Sequence, residues 1–248
     1  MNKKMRPWAI IVLLIASLIM MTACGGSSAS DSGTSGASND GGASTQSGEA
    51  YEIGEGQVVT YADSIGSDWV IIGVPVTNTG DSNLYLSSGT MDLEDQEGHL
   101  VDSINLVSVY PEVLQPGETA WYYEETMVEG ASGIDLKVLP HVDVKKAKVD
   151  CVRYDVTDVA ITDNTYGGIK ITGRVENTTD EDASLPYVVV FMYGADGQLI
   201  GSAFTITDEL KAGEKIGFSM STFSSYKGFK ASNVANYEAY AYPTQFQF

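Results

Sequence analysis

Only two cysteines and two histidines occur in the 248 residues. Cys24 falls near the N-terminus, so Cys151 is alone in the body of the chain and an internal disulfide cannot form there. His99 and His141 have no cysteine partner at metal-ligand spacing, which leaves neither a zinc site nor a nucleophile paired with histidine to expect. The patterns GxSxG and HExxH and a glycine-rich phosphate loop are missing as well. No cofactor is expected, and a thiol or hydrolytic enzyme is the least favoured reading. Basic residues are scarce, 14 against 33 acidic ones, for a formal net charge of −19. Such a surface repels nucleic acid and anionic lipid headgroups, so nucleic acid is excluded as a partner. No apolar run reaches the 18 or so residues that cross a bilayer; Ala9 to Met21 comes nearest, at about 13 residues interrupted by Ser17.

That short run has the form of a removable signal. Lys3, Lys4 and Arg6 precede it, and Met21-Thr22-Ala23-Cys24 follows. This ending resembles the lipobox of bacterial lipoproteins, with methionine where leucine is usual. The resemblance implies cleavage after residue 23, a diacylglycerol on the Cys24 thiol, and lipid anchoring on the outer face of a cell membrane. Loss of the three basic residues takes the formal charge from −19 to −22. Several acyl chains, each contributing about 0.8 kcal/mol per buried CH2, give durable attachment. Residues 25–50 contain no large apolar side chain, so nothing in them offsets ordering entropy. A Gly/Ser coil of this length reaches about 25 to 30 Å, which lifts a folded body clear of the headgroups. An extracytoplasmic body without disulfides suits a Gram-positive surface.

The rest of the chain repeats itself. A shift of 99 residues lays Val70, Ile72, Val76, Asn78, Thr79, Gly98 and Leu100 on Ile169, Ile171, Val175, Asn177, Thr178, Gly197 and Leu199. A shift of 96 lays Leu114-Gln-Pro-Gly-Glu118 on Leu210-Lys-Ala-Gly-Glu214. A period near 100 residues is the size of a domain. The reading is therefore two domains, 51–146 and 147–248, after a signal peptide (1–23) and a lipidated, unstructured linker (24–50). Within each copy the apolar residues alternate: Val70, Ile72, Val74 and Val76 in one, Ile169, Ile171 and Val175 in the other. Turn residues follow at regular spacing, and Gly98 and Gly197 stand where hairpin turns need a positive φ. Regular strands without helical periodicity predict an all-β fold of antiparallel sandwiches.

In order along each copy come a V-x-N-T strand (G-x-V-x-N-T in the second copy), a G-x-L hairpin (D-G-x-L-I in the second copy) and an L-x-x-G-E turn. This sequence of motifs resembles the FxLYD-type and related immunoglobulin-like domains of bacterial lipoproteins, over about 66–125 and 165–222. The family's core motif falls on Val190-Phe191-Met192-Tyr193-Gly194 in the second copy and on Met91-Asp92-Leu93-Glu94-Asp95 in the first, each keeping part of it. The resemblance implies tandem immunoglobulin-like sandwiches on a cell envelope and carries no catalytic residues.

Three features could bear chemistry. Asp92, Glu94, Asp95 and Glu97 crowd one hairpin and Asp180, Glu181 and Asp182 one loop, which raises a calcium-dependent adhesion or scaffold module as the alternative function. Neither stretch has the D-x-D-x-D-G order, and solvated turns are the simpler explanation, so no metal ligand is assigned. Cys151 reads as a small, buried apolar residue. Tyr240, Tyr242, Phe246 and Phe248 share one face of an extended C-terminus and are the candidate interaction surface, with packing into a core as the competing expectation. Trp121, Tyr122 and Tyr123 cannot all be buried by a strand whose other face is solvated. The expected function is a non-catalytic, membrane-anchored envelope lipoprotein whose tandem domains bind or space an envelope protein or glycan.

Overall fold

The computed structural model describes residues 50–244 apart from 166, 223–225 and 227–228. The signal peptide, Cys24, the linker up to residue 49, and Phe246 and Phe248 lie outside the described residues. What is described is all-β and antiparallel, with a single 3-10 turn at Ala231–Asn233 and no α-helix among the described residues.

Ten strands come before residue 147: β1 (Tyr51–Ile53), β2 (Gln57–Ala62), β3 (Asp68–Asn78), β4 (Leu84–Leu86), β5 (Gly89–Glu94), β6 (Leu100–Tyr110), β7 (Val113–Leu114), β8 (Thr119–Met127), β9 (Lys137–His141) and β10 (Val144–Lys146). They form a path β1-β3-β8-β6-β5-β9, with β2 also on β3, and a small sheet β10-β4-β7. β6 changes partner along its length. Leu100 to Val107 lies on β5, Ser108 to Tyr110 on β8, and Leu106 takes φ 60° just before the switch. Six strands follow: β11 (Asp155–Asp163), β12 (Ile169–Glu176), β13 (Tyr187–Tyr193), β14 (Leu199–Ile206), β15 (Lys215–Thr222) and β16 (Asn236–Tyr242). These make two three-stranded sheets, β11-β12-β15 and β14-β13-β16.

The pairings themselves repeat. β2-β3-β8 corresponds to β11-β12-β15, and β6-β5-β9 to β14-β13-β16. Even the β4–β7 pair Leu84↔Leu114 recurs, as the single bridge Ala183↔Leu210. Each half has its own apolar cluster. The first is built on Val70, Ile72, Val74, Val76 and Tyr122, and the second on Ile169, Ile171, Val175, Val190 and Met192. The alternating residues of the two sequence copies thus all point inward, as period two requires. Gly98 and Gly197 have φ of 84° and 82°, the conformation their hairpin turns demand.

One polar residue sits at the heart of each half. Asn78 and Asn177 are completely buried. The Asn78 amide donates to the carbonyls of Ser82 (2.9 Å) and Leu114 (3.2 Å), and that of Asn177 to Glu181 (2.7 Å) and Leu210 (3.0 Å). Their side-chain oxygens accept from the N–H of Gly80 and of Thr179, both at 3.0 Å. Their backbones bond the L-x-x-G-E turns as well: Asn78 N–H to Glu118 O and Asn177 N–H to Glu214 O, each 2.9 Å. The turn glutamates close the motif, Glu118 accepting from Gln115 N–H (2.8 Å) and Glu214 from Lys211 N–H (2.9 Å). A buried amide needs all of its partners, so this arrangement fixes strand, loop and turn together.

Candidate functional site

The residue rows on β2, β3, β8 and β6 define a second face, turned away from the first core. Gln57 pairs Gly73, which pairs Tyr123, which pairs Ser108; one row along, Pro75 pairs Trp121 and Trp121 pairs Tyr110. On the sheet of β13, β14 and β16 the outward residues are Tyr187, Val189, Phe191 and Tyr193, then Leu199, Phe204, Tyr240 and Tyr242, while Val188, Val190, Met192 and Ala241 fill the second core. These two faces meet. Trp121, Val189, Phe191, Tyr193, Leu199 and Tyr242 form a third buried cluster, with Tyr110, Tyr123, Tyr187 and Tyr240 around it.

Rings interlock across this junction. Trp121 lies 6.4 Å from Phe191 and 6.0 Å from Tyr193, both tilted, and Tyr110 stacks on Phe204 at 5.6 Å. Such pairs contribute about 0.5 to 1.5 kcal/mol each beyond the area they bury. Gly73 lets the faces close, because a Cβ there would stand 2.8 Å from Leu199 Cδ2. The Gln57 side chain accepts from Leu199 N–H at 2.8 Å. Burial pushes the phenols of Tyr123, Tyr193, Tyr240 and Tyr242 well above their ordinary range, aided at Tyr193 and Tyr240 by Glu238. The Tyr193 hydroxyl donates to Glu238 at 2.9 Å.

The segment joining the halves is clamped to the same place. Arg153 donates from Nε to Glu118 Oε1 (3.2 Å), and from one terminal nitrogen to Glu118 Oε2 (2.7 Å) and the Val113 carbonyl (2.6 Å). Its other terminal nitrogen donates to Val152 O (3.1 Å), and the guanidinium lies 5.7 Å from the centre of the Tyr242 ring. Gln115 donates to the Cys151 carbonyl at 3.2 Å. The Cys151 thiol is partly buried against Val113 O at 3.5 Å, and burial raises its pKa, with Arg153 opposing. A raised thiol is a poor nucleophile.

Tyr240 and Tyr242, expected on an interaction surface or in a core, are therefore part of the contact between the halves. Tyr242 stacks on Tyr187 at 5.9 Å and Tyr240 meets Phe191 edge-on at 6.4 Å. Trp121 and Tyr122 are both buried although they point to opposite faces, because both faces of β8 are covered. The sequence carried a signal for this: Trp69, Ile71 and Pro75 alternate with the core valines, so β3 has no polar face to give to water.

The remaining candidates are scattered. Asp92 accepts from Ser103 Oγ (2.6 Å) and stands 2.9 Å from His141 Nε2. Ser103 comes first and His141 second in lowering its pKa. The carboxylate occupies the middle of this trio, so the serine proton goes to Asp92 and not to an imidazole, the reverse of a nucleophile-activating order. Asp95 caps its hairpin by accepting from the N–H groups of Glu97 and His99, both 2.9 Å, the latter being the main cause of its lowered pKa. The ligand atoms of Asp95, Glu97 and His99 lie within 4.8 Å of one another on an exposed tip. Asp92 engages Ser103 and His141 instead of joining this trio. The second acidic cluster lines a cleft of about 410 Å3 with Tyr154, Thr179 and Pro243, its three carboxylates exposed. Sequence reasoning missed the Asn78 and Asn177 hubs and the Arg153 clamp; the recurrence of Asn and Glu at matching positions of the two copies was the available sign of the hubs. No protein-family model matches the chain, and the curated proteins give no match to it.

Proposed function

We propose that this protein is a non-catalytic lipoprotein of the bacterial cell envelope, held to the outer face of the membrane through Cys24, whose tandem immunoglobulin-like domains act as one stiff body that presents or spaces an envelope protein or glycan partner. The observation that carries the reading is the aromatic junction. Two modules on a flexible linker would orient independently, whereas a shared buried cluster and a clamped connection suit a part whose job is fixed geometry at a distance from the membrane. The leader ending in Met21-Thr22-Ala23-Cys24 and the Gly/Ser stretch after it support the anchoring.

Mass spectrometry of the mature N-terminus tests the anchor: a diacylglyceryl Cys24 is expected, and an unmodified thiol on protein released to the medium overturns it. Crosslinking in intact cells tests the partner, with one specific neighbour expected. Calcium is the second reading, on the hairpin tip where the ligand atoms of Asp95, Glu97 and His99 lie within 4.8 Å of one another. A rise in melting temperature with millimolar calcium is its signature, and an unchanged one removes it.

A further inference from the structure

The cleft of about 410 Å3 opens beside the segment that joins the halves. Three stretches of chain line it: Val152 and Tyr154 ahead of β11, Thr179 to Ser184 between β12 and β13, and Pro243 and Thr244 after β16. Several of its polar groups are spent within the fold. The Thr179 hydroxyl donates to Asn177 Oδ1 and that of Thr244 to Leu185 O, both at 2.7 Å, and Asp182 Oδ1 accepts from Ala212 N–H at 2.9 Å. The carboxylates of Asp180 and Glu181 have neither a hydrogen bond nor an ion pair among the described residues. Arg153, next in sequence to two lining residues, is held by Glu118 and leaves these acids without a counter-charge.

One buried group in the lining is also unsatisfied. Tyr154 is only 7% exposed and packs into the second core, with its backbone N–H on Ala241 O at 2.8 Å. Its hydroxyl nevertheless has no hydrogen-bond partner among the described residues. Burial pushes this phenol up, and the one charge that adds to the shift is that of Glu181, on the wall of the same cleft. Enclosed hydroxyls are ordinarily paired, so a group seated in the cleft can complete what the fold leaves open here.

Shape and lining select the ligand. Among the described residues only Asp95, Glu97 and His99 bring three ligand atoms within 4.8 Å of one another, so the acids of the cleft do not close on a single metal ion. The volume is roughly fourteen times a water molecule's share of the liquid, room for a chain of several carbons. Val152 and Pro243 give such a stem an apolar wall, and carboxylates with a phenol oxygen match the N–H donors of an ammonium head. We propose that this cleft binds a primary alkylammonium group, its head against Asp180, Glu181 and the Tyr154 hydroxyl and its stem along Val152 and Pro243, supplied by a free diamine or by a lysine side chain of a partner. This gives the partner of the function proposed above its chemistry and rests on that reading for its setting alone. The cleft needs no lipid on Cys24, so failure to bind amine and failure of the anchor are separate results.

Saturation-transfer NMR on the whole protein in nonionic detergent tests it. The probes are cadaverine, as a free diamine, and acetyl-lysine methylamide, as a lysine residue, with pentanediol as the uncharged counterpart of cadaverine. Transfer to the methylenes of at least one amine is expected, with little to the diol. A response to cadaverine alone assigns the site to free amines, and one to the lysine mimic assigns it to a partner's side chain. Glu181→Gln lowers the apparent affinity about tenfold, as loss of a charge-assisted hydrogen bond implies. Tyr154→Phe, which removes only the hydroxyl, lowers it about threefold. Glu97→Gln, on the hairpin tip of the other half, leaves it unchanged. Equal transfer to amines and diol, no loss in either Glu181→Gln or Tyr154→Phe, or equal losses in Glu181→Gln and Glu97→Gln overturns the proposal.

Discussion

The two halves of the molecule share a buried asparagine, a turn glutamate and a pairing order, yet they use the glutamate differently. Glu214 is exposed and caps Lys211. Glu118 makes the same cap and also binds Arg153 of the connecting segment. The first half adds a small sheet, β10-β4-β7, where the second has one bridge. The first half also covers both faces of β3 and β8, and the second both faces of β13. The shared parts hold each half together, and the differences hold the halves to each other. The contacts between the halves thus leave the asparagine motif of each half intact.

The largest effect should come from the shared cluster. Trp121→Ala removes a ring packed on Phe191 and Tyr193 and should destabilise by about 3 to 5 kcal/mol. If the junction couples the halves, chemical denaturation of this variant splits from one transition into two. A single unshifted transition would show that the halves never depended on the contact. Asn78→Ala and Asn177→Ala come next, at about 2 to 4 kcal/mol each, since each removes two donated hydrogen bonds and one accepted one from a fully buried side chain. Hydrogen exchange should report faster opening confined to the half that carries the substitution, and symmetry between the two variants is the point at issue.

Arg153→Met separates the two glutamates. It leaves Glu118 without its cation and should cost about 2 kcal/mol, a value below that of a fully buried pair because both side chains keep about a fifth of their surface exposed. Glu214→Gln, without such a partner, should cost about 0.5 kcal/mol or less. Urea midpoints at constant slope measure both. The smallest effect is expected at Glu112. Burial raises its folded pKa, so ionisation works against folding. Its penalty is absent at low pH and grows as pH rises from the unfolded midpoint through the folded one. Glu112→Gln should raise the melting temperature at pH 7 by about 1 to 3 °C, and the gain should vanish in acid. The Asp92 carboxyl is shifted the other way by Ser103 and His141, so its contribution is present at neutral pH and lost as pH falls through its lowered midpoint.

Much of each half was legible. The valines and isoleucines at alternate positions of β3 and β12 point into the two cores, and the glycines at 98 and 197 have the positive φ that their turns require. Shifts of 99 and 96 residues correspond to strands with the same neighbours. The acidic runs were also readable as capped or solvated turns, as Asp95 shows. The asparagines were visible as repeated letters, but their role was hidden. A hydrogen-bond hub takes its partners from loops 4 and 36 residues away, and spacing alone does not reveal which carbonyls will turn toward it.

The amino-acid order by itself determined the strands, their turns and the repetition, because alternation and turn chemistry are local and act within a few residues. It also marked Trp121, Tyr240 and Tyr242 as rings in need of cover. What covers them was settled by the fold, since two sheets far apart in the chain had to be built before their outer faces existed. Trp121 then met Phe191 and Tyr193, and Arg153 found Glu118, through surfaces that no single strand contains.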